Sequence, residues 1–173
     1  MFLVAGEPRG GRQVPAGHHW IAAIAAATIL AAVLTIAARR GSPSRRAALY
    51  AGANGIIWAL EAAFIKATTD TIAQSGVAGM FLRWPVYATV AAGAAGFLLL
   101  QQALHVGPLR ISQPVTVIVN PIASIAVSVW LFDEYFTSNA VVLAAAAAGF
   151  AVMCVGVVYL TQHAPATVEA DIG

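Results

Sequence analysis

Five continuous apolar stretches, separated by short gaps that hold almost every charge, occupy most of the 173 residues of this chain. They run from Trp20 to Ala38, Ala47 to Ala67, Trp84 to Leu104, Pro114 to Phe132 and Ala140 to Leu160. A helix rising about 1.5 Å per residue needs roughly 20 apolar residues to cross about 30 Å of hydrocarbon, where no water satisfies bare backbone groups. Each stretch is about that long. A β-barrel strand would alternate apolar and polar side chains over about ten residues, whereas these runs are continuously apolar and rich in alanine, a strong helix former. The expected fold class is an all-α integral membrane protein, a bundle of five transmembrane helices. Charged residues are only 9% of the chain, against about a quarter in an ordinary soluble domain, so a soluble packing would lack polar surface.

Residues 18–162 form the expected five-helix domain. Before it, residues 1–17 read as an N-terminal loop: Met1 to Ala5 is apolar, too short for a signal peptide, and looks like the last turns of a preceding helix. Gly6 to Gly17 is rich in Gly, Pro and Arg. Residues 163–173 read as a polar C-terminal tail. The net charge of +2 comes mostly from arginines beside the apolar runs, a topology signal and not a nucleic-acid footprint. The partner implied is the lipid bilayer, with no nucleic acid. Arg39, Arg40, Arg45 and Arg46 crowd the gap after the first run and place it in the cytoplasm by the positive-inside rule. In a plasma (inner) membrane the N-terminus is then outside, the 68–83 loop outside, the loop with Arg110 inside, Asp133 and Glu134 outside, and the C-terminus cytoplasmic. Arg9, Arg12 and Arg83 count the other way. Trp20, Tyr50, Trp84 and Tyr159 sit at run ends as interface anchors.

The polar residues inside the runs carry the functional signal, because a charge at mid-membrane costs about 2.5–3.5 kcal/mol on insertion scales. Glu61 stands some six residues from the outer end of its helix, roughly 9 Å deep, too far for a short stem to reach water easily. It must face protein, water or a substrate, and a functional use is favoured over packing alone. Asn54, Trp58 and Glu61 are spaced by four and three, hence on one helix face, and an indole beside a carboxylate suits a cationic or aromatic ligand. Lys66, about 140° round the helix from Glu61, serves another face, and is either a snorkelling lysine or a site residue.

Asn120 and Pro121 lie in the middle of the fourth run, where proline deprives the Val117 carbonyl of its donor. Two readings stand: a helix opened at mid-membrane to offer polar groups, or a simple kink. Ser112, Thr116, Asn120, Ser124 and Ser128 recur every four residues, and packing accounts best for the hydroxyls. Gly93 and Gly96 offer a thin surface for a neighbouring helix. Gln101 and Gln102 lie near the inner end of the third run. His18 and His19 have no acidic or thiol companions, and Cys154 is the only cysteine, so neither a metal site nor an intrachain disulfide is expected. No nucleophile, phosphate-loop or dinucleotide motif is present. The chain reads as no enzyme, with no catalytic residues and no cofactor.

The run Gln101-Gln102-Ala103-Leu104, then Gly107-Pro108-Leu109, Gln113-Pro114, Asn120-Pro121 and Asp133-Glu134 resembles the carboxy-terminal half of EamA-like transporters of the drug/metabolite transporter superfamily. Gly55 to Lys66 looks like the helix that opens that half, and the resemblance spans about residues 20–162. It implies one repeat of a ten-helix inverted-repeat fold with alternating access around a central cavity. Asn120 and Asp133 depart from the Glu and Gly usual in the family at those positions, so a coupling role at residue 120 is in doubt. A single repeat encloses no path. A truncated or split transporter is the first expectation, a homodimer the second.

The function these features imply is half-size or truncated multi-pass transport, exporting or exchanging a small-molecule substrate with proton coupling at Glu61. Asn54, Trp58, Lys66, Asn120, Pro121 and Gln101 complete the candidate site. The alternative is a non-transporting assembly subunit or an inactive fragment.

Overall fold

In a computed structural model the described residues form a bundle of five helices: α1 Gly17–Ala37, α2 Pro43–Met80, α3 Trp84–Val106, α4 Leu109–Phe132 and α5 Ala140–His163. The structure describes residues 17–132 and 140–163, and no strand occurs among them. The expectations for the N-terminal loop, for Asp133 and Glu134, and for the tail beyond His163 lie outside the described residues.

Helices α1 to α4 are each long and apolar enough to cross a membrane, while the described apolar part of α5 is Ala147–Leu160. Large apolar side chains face outward along the bundle, with Ile29 64%, Val90 68%, Leu98 61% and Val155 68% exposed. A surface of this kind is unsuited to water and compatible with a multi-pass membrane protein.

The helix ends follow from local chemistry. Ser42 caps α2 by accepting from the Arg45 amide at 3.4 Å, and Pro43 occupies the first turn, where its missing N–H costs nothing. Arg46 donates from Nε to the Ala38 carbonyl at 3.1 Å, so one arginine of the basic loop satisfies a carbonyl beyond the end of α1. Gly41, at φ 116°, supplies the turn between the two helices that other residues would enter only with strain.

Two expectations are corrected. The 68–83 segment, read as a loop, is mostly helix: α2 spans 38 residues and departs from helical geometry only at Gly76, where φ is 72° and ψ 174°. Thr68 to Ser75 are mostly polar but contain no proline or glycine. Thr69 and Thr71 return their hydroxyls to the carbonyls of Ile65 and Ala67, so the polar stretch ends the apolar run without ending the helix. The start of the fourth helix, expected at Pro114, is the second. Helix α4 begins five residues earlier than expected, at Leu109, and runs helical through both Pro114 and Pro121.

Helix α2 is the axis of the bundle. Between Ala47 and Phe64 it is buried on most sides, with α1, α3 and α4 packed around it, while α5 packs on α4. The interface residues are small, chiefly alanine and glycine, which lets the backbones approach closely. Gly55 faces the backbone amide of Asn120, and Ala51 presents its carbonyl to the hydroxyl of the buried Thr116 at 3.5 Å. Ser112 is fully buried, as expected for a packing role. At one end of the bundle, aromatics from four helices gather. Trp20 stacks on Phe64 with ring centroids 5.6 Å apart and meets Trp84 and Phe132 edge-on at 5.1 and 5.9 Å. Trp20, read as an interface anchor, is therefore inside the bundle, only 7% exposed.

Candidate functional site

Asn54, Trp58 and Glu61 share a face of α2, and that face lies against the glycine surface of α3. Asn54 is fully buried and donates from Nδ2 to the Gly96 carbonyl at 2.7 Å, while its Oδ1 has no partner among the described residues. One turn further, the Trp58 indole lies over the α-carbon of the same Gly96. The next turn brings Glu61 onto Gly93, so closely that a methyl group there would lie 2.7 Å from Oε1. Two glycines three residues apart thus make the room that an indole and a carboxylate occupy.

The Glu61 carboxyl is half-buried, with neither a hydrogen bond nor an ion pair among the described residues. It is held between two helices and points neither fully into the core nor fully outward. A carboxyl in that position can take up and release a proton, or accept a cationic group beside Trp58.

The other candidates are not gathered there. The Lys66 ammonium lies 3.9 Å above the Phe132 ring, in the aromatic end of the bundle. Asn120 is on α4, across a different face of α2, and its Oδ1 accepts from the Ser124 hydroxyl at 3.3 Å. Pro121 is half-buried within α4, and Gln101 is exposed on α3.

No family model matches the chain, and no solved structure matches it. It is similar to an uncharacterized protein of Corynebacterium glutamicum, 22% identical over 136 residues, which cover 79% of this chain and 47% of that protein. The chain spans about half the length of the curated relative it matches.

Sequence reasoning placed Gly93 and Gly96 in packing without seeing what packs on them. Their spacing of three mirrors the step from Trp58 to Glu61, a signal available once α2 and α3 are taken as neighbours. It also missed the gathering of Trp20, Phe64, Trp84 and Phe132. Phe64 lies three residues beyond Glu61, and Trp20, Trp84 and Phe132 fall at helix ends that alternation brings together.

Proposed function

We propose that this chain is one half of a multi-pass secondary transporter of the drug/metabolite, EamA-like type, which exports or exchanges a small polar or amphipathic metabolite. The observation that carries the reading is Glu61: a half-buried carboxyl in the middle of a long apolar helix, seated on Gly93 and without a partner among the described residues. Acids in such positions are costly and are retained for ion or substrate pathways. Trp58 beside it supplies an aromatic face for the substrate, and protonation of Glu61 competes with substrate binding, so a proton gradient drives exchange.

The similarity to a protein about twice as long supports the half reading, since sites of this class lie between two repeats. The half-exposed face that carries Glu61 is where the second five-helix unit docks, whether from the same polypeptide, a second copy or another chain. The arginine-rich loop between α1 and α2 supports a cytoplasmic position for that end of the bundle.

The test is flux. Proteoliposomes carrying the protein and an internal pH dye are challenged with a panel of amino acids and amphipathic amines. The wild type gives a substrate-evoked pH change, and Glu61→Gln abolishes it while remaining monodisperse. Equal responses from the two proteins remove Glu61 from the mechanism. A flat response across the panel from a wild type that is dimeric in the proteoliposomes, with Glu61→Gln altering thermal stability alone, supports the assembly-subunit reading instead.

A further inference from the structure

At the aromatic end of the bundle, α1, α2, α3 and α4 line a half-open cavity of about 460 Å³, within the range of small-molecule sites. One wall is aromatic, built from Trp20, Trp84 and Phe132. Polar lining comes from the part of α2 that sequence reasoning took for a loop, through Asp70 and Thr71. Arg83, which precedes α3, completes the lining. The site is separate from Glu61, since Asp70 lies nine residues further along α2, about 13 Å at helical rise.

Two features give the cavity a chemical character. Asp70 and Arg83 carry opposite charges into the same space, and among the described residues neither is engaged in an ion pair or a hydrogen bond by its side chain. Opposite charges that line one half-open cavity without neutralising each other complement a ligand that carries both signs. Beside them, the aromatic wall offers an apolar seat whose rings also attract cations, and Phe132 already holds the Lys66 ammonium on one face.

We propose that this cavity binds an amphipathic zwitterion: an ammonium beside a carboxylate or phosphate, joined to an apolar body. Asp70 takes the ammonium, Arg83 the anion, and the Trp20, Trp84 and Phe132 wall the apolar part. A free amino acid with a large apolar side chain and the headgroup region of phosphatidylethanolamine share this chemistry.

The experiment uses the protein in phosphatidylglycerol nanodiscs, titrated with L-phenylalanine and read by tryptophan fluorescence, since Trp20 and Trp84 line the space. Phenethylamine lacks the anion and 3-phenylpropionate lacks the ammonium. Each is expected to bind about tenfold or more weakly than phenylalanine, the loss expected for one charged hydrogen-bonding partner. Arg83→Gln should erase the preference over phenethylamine, and Asp70→Asn the preference over 3-phenylpropionate. Both residues lie outside the buried core, and the three-ligand comparison on the wild type needs no variant.

A second arm replaces phosphatidylglycerol with phosphatidylethanolamine. If the lipid is the occupant, the wild type melts higher in those discs, both variants lose the gain, and the phenylalanine response is blocked. Either arm supports the assignment. No preference among the three ligands, together with equal lipid effects on wild type and variants, overturns it. Glu61→Gln retains this binding whatever its effect on flux, so the outcome is independent of the transport reading.

Discussion

Gly96→Ala tests the α2–α3 interface at its tightest point. Asn54 donates to the Gly96 carbonyl at 2.7 Å, and a methyl group at residue 96 would run into the Trp58 ring, meeting Nε1 at 2.5 Å. Carbon needs about 3.5 Å, so the indole must move by about 1 Å or the helices must part. The indole is rigid, and overpacking of this kind costs about 1–3 kcal/mol. If the helices part, the Asn54 amide loses its bond as well. Its Oδ1 is already unpartnered, so a fully buried amide would be left with no bond at either atom, at a cost of about 1–3 kcal/mol. A combined loss of about 3 kcal/mol, at roughly 2–4 °C per kcal/mol for a chain of this size, lowers the melting temperature by about 9 °C. The assay is a thermal ramp in detergent followed by fluorescence-detected size-exclusion chromatography. The same substitution is measured in a Trp58→Leu background, where the smaller side chain makes room. There Gly96→Ala should cost less than about 1 kcal/mol, giving a coupling of about 2 kcal/mol. A Gly96→Ala protein that melts within about 2 °C of wild type, or falls equally in both backgrounds, refutes the steric account.

Gly107→Ala should be more damaging still, because the added methyl meets the Ala47 side chain and the Pro43 carbonyl, each at 2.7 Å, and backbone cannot rotate away; the same thermal ramp reads it. Gly156 has nothing within 4 Å, so Gly156→Ala should raise stability by about 0.5–1 kcal/mol through helix propensity, and a fall would place an unseen neighbour on α5. Gly76→Ala meets no atoms but must adopt a glycine-only conformation at about 1–3 kcal/mol. Hydrogen exchange should quicken around residues 77–82 and stay unchanged in 47–64. Arg46→Met removes the bond to Ala38 and should cost about 1 kcal/mol, seen as a small drop in the same melting experiment.

The helices were legible because hydrocarbon demands long apolar runs, and α3 and α5 begin where those runs do, at Trp84 and Ala140. Helix α2 was misread at its far end because Thr68 to Ser75 stop being apolar without ceasing to be helical. Polarity marks where a segment suits water, and only Gly76 changes the backbone. Spacings of four and three were enough to put Asn54, Trp58 and Glu61 on one face. What they face was not readable, since Gly93 and Gly96 carry no side chain that names a partner more than thirty residues away. The aromatic end was obscured for a related reason: a tryptophan at a run end suits a headgroup layer as well as a packed core, and only the arrangement of four helices decides it for Trp20.

Between Pro43 and Gly76, α2 is a rod about 50 Å long, well beyond the thickness of a hydrocarbon slab of about 30 Å. If the alanine-rich portion is immersed, the threonine-rich portion stands clear like a mast above a waterline. Raising that line by a few ångströms would submerge Thr68 and Thr69 first and then the charge on Asp70. The protein therefore carries its own gauge of bilayer depth, and thin membranes would suit it better than thick ones.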